Sequence, residues 1–204
     1  MPDKESLITK LEKGRAEFAY RCVKEVIELK PTNQNSYASI AIRKFKENVR
    51  ESLEKEIKEG KINEQRINEL LENPTQFLDK GKLSDEEKRV LSFYETLCKN
   101  YRAYARKIPQ MILSNGLGQT LAFVKSKAKN GNAYEVLYSQ MTDYLKSDST
   151  ARIPRPQDIN ELVEWVISLN SYQYRYATEE ILAFLNWVKR FAEGLIETEE
   201  EGEG

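Results

Sequence analysis

The sequence predicts an all-α protein, a multi-helix bundle with an additional helical hairpin-like extension. Three observations predict it. Apolar residues recur at i, i+3, i+4 and i+7 through most of the 204 residues, which places them on one side of a helix. No stretch alternates at the strand period, and no Asn-Gly sits between β-branched runs. Residues that cap or stop helices divide the chain into segments of helical length.

The first segment, 6–29, carries Leu7, Leu11, Phe18, Cys22, Val26 and Leu29 at helical spacing and stops before Pro31. Arg15 and Lys24 lie off that stripe, and Arg15 is a ligand candidate. Asn35-Ser36 opens a second helix running to Glu59, with Gly60 as its stop and Phe45, Val49, Leu53 and Ile57 as a narrow seam. Glu and Lys alternate over its remaining surface and support a long exposed helix through i,i+4 pairs. Asn63 caps a short helix through Leu71, closed by Asn73-Pro74, and a turn or single helical turn follows at Phe77, Leu78 and Lys80-Gly81. The segment 32–95 reads as a protein-facing or structural extension, because its acids make it a poor surface for nucleic acid.

Ser84-Asp85-Glu86-Glu87 has the form of a capping box and starts a long helix in which Pro109 predicts a kink or an end. Asn115-Gly116 is a helix-stop signal, and Gly118 adds a second permissive position. The next helix, 117–129, shows an apolar face of Leu117, Leu121, Val124 and Ala128. After Asn130-Gly131, Asn132 opens a helix that buries Ala133, Val136, Leu137, Met141, Tyr144 and Leu145, with Tyr134 and Tyr138 on its flank. Residues 147–156 form a Ser/Pro-rich loop with Arg152 and Arg155, read either as a surface linker or as a basic loop reaching a partner. Asp158 to Glu161 is a capping arrangement for a helix burying Leu162, Val163, Trp165, Val166 and Leu169. The last helix, 172–195, carries the broadest core stripe: Ile181, Phe184, Leu185, Val188, Phe191, Ala192 and Leu195. The expected organisation is one helical domain over 1–196, containing the extension at 32–95, and an acidic tail over 197–204.

Charge is sorted by region. The formal net charge is -1, yet from Thr96 through Tyr134 there is no Asp or Glu. The same span holds Lys99, Arg102, Arg106, Lys107, Lys125, Lys127 and Lys129. Lys99, Arg102 and Arg106 fall at i, i+3 and i+7, one face of a helix. Leu97, Tyr101, Tyr104, Ala105 and Ile108 fall on the other side. A cationic face without interleaved carboxylates suits a polyanion; it also suits a plain solvated surface. Tyr172, Tyr174, Arg175 and Tyr176 form a second group, fit either to stack on bases and hold phosphate or to wedge two helices apart.

Other chemistry is set aside on composition. The chain contains no histidine, which removes the commonest general base, the Ser-His and Cys-His nucleophiles and the His ligands of most catalytic metals. Asn115 to Thr120 is Gly-rich and opens a helix, but it lacks the GxxxxGK[ST] pattern and follows a helix rather than a strand. Glu86-Glu87 and Glu179-Glu180 are expected in first helical turns, where they complement the macrodipole, and no metal or cofactor site is read from them. The two cysteines, Cys22 and Cys98, form no CxxC pair and read as buried thiols of a cytoplasmic protein. No apolar run reaches membrane-spanning length, so no membrane partner is expected, and Met1 to Glu5 lacks the pattern of a signal peptide.

The stretch Tyr101-Arg102-Ala103-Tyr104-Ala105-Arg106-Lys107-Ile108-Pro109, continuing through Asn115-Gly116-Leu117-Gly118-Gln119-Thr120-Leu121-Ala122-Phe123 to Lys129, resembles the small helical subunit of the type III-B CRISPR RNA-guided effector complex, the Cmr small-subunit family. Tyr172 to Glu193, with Thr178-Glu179-Glu180 and Trp187, is similar to that family's C-terminal helix, and Ala133 to Leu145 to the helix between them. Arg15, Ala16 and Ala19 fit more loosely. Residues 32–95 depart from the pattern, being longer than the connection expected there. The resemblance implies a non-catalytic antiviral ribonucleoprotein subunit, present in several copies beside the backbone and large subunits, whose basic helices line the channel holding the guide RNA–target RNA duplex. On that reading Arg102, Arg106, Lys107, Lys125 and Lys127, then Arg175 and Lys129, contact RNA. The alternative is a helical protein–protein interaction scaffold whose basic faces meet an acidic partner.

Overall fold

The computed structural model describes residues 7–77, 83–147 and 161–197. Among them the chain forms α1 (Leu7–Glu28), α2 (Tyr37–Ser52), α3 (Glu54–Lys58), α4 (Glu64–Glu72), a 3-10 turn (Pro74–Phe77), α5 (Asp85–Asn115), α6 (Leu117–Lys127), α7 (Ala133–Ser147), α8 (Leu162–Ser168) and α9 (Ser171–Leu195). No strand occurs among the described residues, so the fold is all-α. The Arg152 and Arg155 loop and the acidic tail beyond Glu197 lie outside the described residues, as do most of the turn after Phe77 and Asp158 to Asn160.

Two long helices, α5 and α9, pack against each other. α1 lies along α9, and α7 lies against α5 and carries α2 on its other side. Tyr101, Phe184, Leu121, Ile108 and Leu117 are fully enclosed, and one continuous apolar core reaches from α1 and α2 through α9. Burying such side chains is worth about 1.5–3 kcal/mol each, and it orients every helix that bears a basic residue.

The helix starts follow the expected caps. Ser36 Oγ accepts from the amide of Ser39, Asn63 Oδ1 accepts from Gln65, and Ser84 with Glu87 makes the full capping box. A second box, Asn170 with Gln173, opens α9. α1 closes on Leu29, which adopts a left-handed φ of 49° ahead of Pro31.

Four expectations need correction. The helix expected from Ser36 to Glu59 is two helices broken at Leu53 (φ -111°, ψ 5°). A seam spaced every four residues rotates by about 40° per step on a 3.6-residue helix. A straight helix would therefore carry Ile57 away from Phe45, whereas the break keeps Leu53 in the core and Ile57, half-buried, packed against it, with the charged residues of α3 outside. Pro109 neither ends nor delays α5, which runs through it to Asn115. Pro109 is itself buried there, so packing offsets the missing amide bond. Glu179 and Glu180 lie in the middle of α9 rather than in a first turn, and Glu180 is 6% exposed. Finally, α6 stops at Lys127, so Lys129 sits on the turn that follows.

Within the segment 32–95, α2 is built into the bundle. Ala38, Ala41, Ile42, Phe45 and Val49 of α2 are buried against α7. Asp143 of α7 accepts from the first amides of α2, Tyr37 at 3.0 Å and Ala38 at 2.9 Å, satisfying donors that a helix start leaves open. The turn between α6 and α7 presses on α2 so closely that a Cβ at Gly131 would lie 2.2 Å from Phe45 N and 2.3 Å from Ala41 O.

Candidate nucleic-acid interface

Local structure splits the basic residues into two groups on opposite edges of α5. Tyr101, Ala105 and Ile108 face the core. Arg102 and Arg106 emerge on the side of α9, while Tyr104 and Lys107, one turn apart, lie on the side of α6 and α7.

On the first side the charges are taken up within the chain. Arg102 does not join an exposed face: it is 8% exposed, and its Nη2 lies 3.5 Å from the carbonyl oxygen of Glu193. That carbonyl belongs to the last turn of α9, whose acceptors have no partner within the helix and whose dipole favours a cation. Arg106 Nε donates to Glu193 Oε1 at 2.8 Å. One residue thus engages both arginines, one through its backbone and one through its side chain.

The other predicted residues divide similarly. Lys125 Nζ lies 2.6 Å from Glu161 Oε2 and 5.2 Å from the centre of the Tyr138 ring. Tyr138 also donates its hydroxyl to Glu161. Burial alone would raise the Glu161 carboxyl, but Lys125 and the Tyr138 hydroxyl outweigh it and hold that group below its ordinary value. Arg175 pairs with Glu179 one turn along α9 at 3.4 Å, an exposed pair of small energetic weight. Lys107, Lys127 and Lys129 are exposed, and no carboxylate of the described residues stands within ion-pair distance of them. Lys127 Nζ lies 5.8 Å from the centre of the Phe123 ring. Phe123 meets Tyr134 edge-on at 6.0 Å, and Tyr134 stacks on Tyr104 at 3.9 Å.

The Gly-rich turn proves to be a packing device. Gly116 has φ 82° and ψ 162°, a backbone that favours glycine. Tyr174 of α9 packs against the turn, where a Cβ at Gly116 or Gly118 would touch it at ordinary contact distance, and its hydroxyl accepts from the Gly118 amide at 2.9 Å. Tyr174 is therefore a wedge between helices. Arg15, the weaker ligand candidate, is engaged by Glu12 and Glu180.

Two features escape a reading of the sequence. The acid-free span is answered by Glu161 and Glu193, which lie beyond it in the chain and reach it only through folding. The Glu180–Arg15 pair joins the first and last helices. Only the mismatch between a Glu at a core position of α9 and an Arg off the stripe of α1 hints at it.

A family model described as CRISPR-associated protein (Cas_Cmr5) matches residues 78–195, the stretch from before α5 to the end of α9. The protein called CRISPR system Cmr subunit Cmr5 of Thermus thermophilus is 36% identical over 97 residues, which cover 48% of this chain and 75% of that protein. The stretch matched by the family model carries all seven basic residues singled out above, and α1 to α4 precede it. The chain belongs to the Cmr5 family, the small subunits of type III-B CRISPR complexes.

Proposed function

We propose that this chain is a non-catalytic structural subunit that stacks in several copies along a cytoplasmic Cmr ribonucleoprotein, beside its backbone and large subunits, and turns a basic edge toward the guide RNA–target RNA duplex. The observation that carries the reading is the edge formed by Lys107, Lys127 and Lys129, exposed cations without carboxylate partners among the described residues, in a span free of acids. Lysines so placed contact phosphate and read no sequence, while guide pairing supplies specificity, by analogy with other guided effectors. Arg106, Lys125 and Arg175 form a second rank: each is exposed but must exchange a glutamate for phosphate. Arg102 serves the reading by holding α5 against α9. No described helix is long and apolar enough to cross a membrane.

A second reading, a protein-interaction scaffold without RNA contact, draws on the neutralised side of α5 and on Leu113, Ile167 and Tyr172, each 67% exposed. Photoactivatable RNA in the assembled complex separates the two. Adducts within residues 99–129 support RNA contact; adducts confined to other subunits defeat it.

A further inference from the structure

Two grooves flank the turn between α6 and α7. The larger, about 560 Å³, is lined by Glu47, Glu51, Glu135 and Glu161. Two of its lysines are engaged, Lys44 by Glu135 at 2.6 Å and Lys125 by Glu161, and Lys129 lines its edge. A nucleic-acid strand entering it would meet four carboxylates.

The smaller groove, about 400 Å³, lies on the other side of the same turn, between α2 and α5, and no Asp or Glu lines it. Phe45 and Phe93 contribute aromatic walls and Asn100 a side-chain amide, while Asn48, Lys129 and Asn130 stand on the ridge between the two grooves and line both. Asn132 is already committed: its Nδ2 donates to Lys127 O and its Oδ1 accepts from the Glu135 amide. The side-chain amides of Asn48, Asn100 and Asn130 bond to none of the described residues. The groove also continues into the basic edge. Asn100 precedes Tyr104 by one turn of α5, and Ala133 of the groove adjoins Tyr134, the ring stacked on Tyr104. Asn100, Tyr104 and Lys107 therefore follow one another at one-turn steps along α5, with Tyr134 stacked on Tyr104 and Lys129 at the recess itself.

The chemistry of that recess selects a ligand class. A cation finds no carboxylate in it. Amides offer a donor and an acceptor together, the pattern that base edges answer. Aromatic walls take a flat ring, and a volume of this order lies at the small end of ligand sites. Lysines beside a neutral recess suit a flat group flanked by anions. We propose that the groove receives one unpaired base of an RNA strand, with its flanking phosphates on Lys129 and on Lys107 and Lys127. A base within a duplex keeps its faces stacked, so the groove takes a nucleotide splayed out of the helix, the form in which proteins read RNA bases. This inference rests on the proposed contact with RNA and adds to it a contact with a base.

The test uses the assembled complex, with guide RNA or target RNA carrying 4-thiouridine at one position at a time and adducts mapped to single residues. The expected result is an adduct on Phe93, Tyr104 or Tyr134 from particular unpaired positions. It falls about five- to tenfold with Asn100→Leu, the size of a lost base contact, and remains with Lys58→Ala on the exposed α3. Thermal unfolding of the Asn100→Leu chain confirms that it folds. Adducts confined to Lys107, Lys127 and Lys129, indifferent to Asn100→Leu, overturn the base pocket while leaving RNA contact standing. A complete absence of adducts on the chain overturns both. A neighbouring subunit's side chain crosslinked into the groove when Phe93 is replaced by a photoreactive phenylalanine also overturns the pocket.

Discussion

Arg15 Nη2 lies 2.5 Å from Glu180 Oε1, closing the bundle between residues 165 positions apart. Arg15 Nε adds a second bond to Glu180 Oε2 at 3.3 Å, and the Tyr144 hydroxyl donates to the same oxygen at 3.1 Å. Burial works against the charge of Arg15, but its bonds to Glu180, Tyr144 and Glu12 outweigh that and raise its pKa above the ordinary value. Removing one member of such a pair leaves a charge enclosed without its counter-ion, at a cost of about 3–5 kcal/mol. Arg15→Ala, which leaves the enclosed Glu180 without a cation, is expected to lower stability by about that much in urea unfolding; Glu180→Ala, which leaves Arg15 its pair with Glu12, is expected to cost less, and the double variant less than their sum. Additive losses would show that the pair does not act as a unit.

Gly131→Ala is expected to cost more than about 2 kcal/mol. Its φ of 70° disfavours any side chain, and the added carbon would strike the α2 backbone at Phe45 and Ala41. Gly14 and Gly194 lie in helices, with nothing within 4 Å of an added Cβ. Alanine at either is expected to stabilise by about 0.5–1 kcal/mol. Thermal unfolding of the three variants distinguishes the two cases.

For RNA binding, the lysines and arginines part company. Lys127→Ala and Lys107→Ala are expected to weaken the complex's hold on RNA equally across sequences and to reduce the salt slope by roughly one each. Arg102→Ala is expected to show itself in stability instead, through loss of contact with the end of α9. Glu193→Gln releases Arg106 and is expected to strengthen RNA binding. Filter binding over a salt series reads all four, and a weaker complex with Glu193→Gln would argue against RNA at that side.

Acid is expected to loosen the fold through carboxylates whose pKa is depressed in the folded state. Glu87 is held down by Arg66 and by the Ser84 amide, and Glu161 by Lys125 and Tyr138 against the effect of burial. A depressed folded pKa gives stability that is present above the unfolded value, near 4.5, and lost as pH falls through the folded one. Asp143 works in the opposite sense, since burial raises its pKa despite the amides of Ala38 and Tyr37. Its contribution falls as pH rises from 3.8 through the raised value. The advantage of the wild-type chain over Glu87→Gln and Glu161→Gln in urea unfolding is expected to shrink below about pH 4.

Neither thiol is expected to react with a disulfide reagent at pH 8 while the chain is folded. Burial pushes Cys98 up to about 12 and Cys22 well above its usual value, so the thiolate is scarce and enclosed. Labelling is expected to keep pace with global unfolding in denaturant; rapid labelling of the native chain would contradict the enclosure of Cys22 on α1 and Cys98 on α5 in the core.

The helices and most of their ends are legible in the chain itself, because caps, stops and the apolar stripe are local: they act within four residues of the atoms they satisfy. The span without acids is legible in the same way. Where the local rules failed, the cause was long-range packing. The core kept Pro109 inside α5, and the broken seam at Leu53 answered to a surface supplied by other helices. Which cations stay unpaired was settled by folding alone. Charge pairing depends on distance in space, and Glu193, Glu161 and Glu180 come from parts of the chain that no spacing rule connects to Arg106, Lys125 or Arg15. Packing neutralised one edge of α5 and left Lys107 exposed on the other and Lys127 exposed at the end of α6, over the Phe123 ring that meets Tyr134.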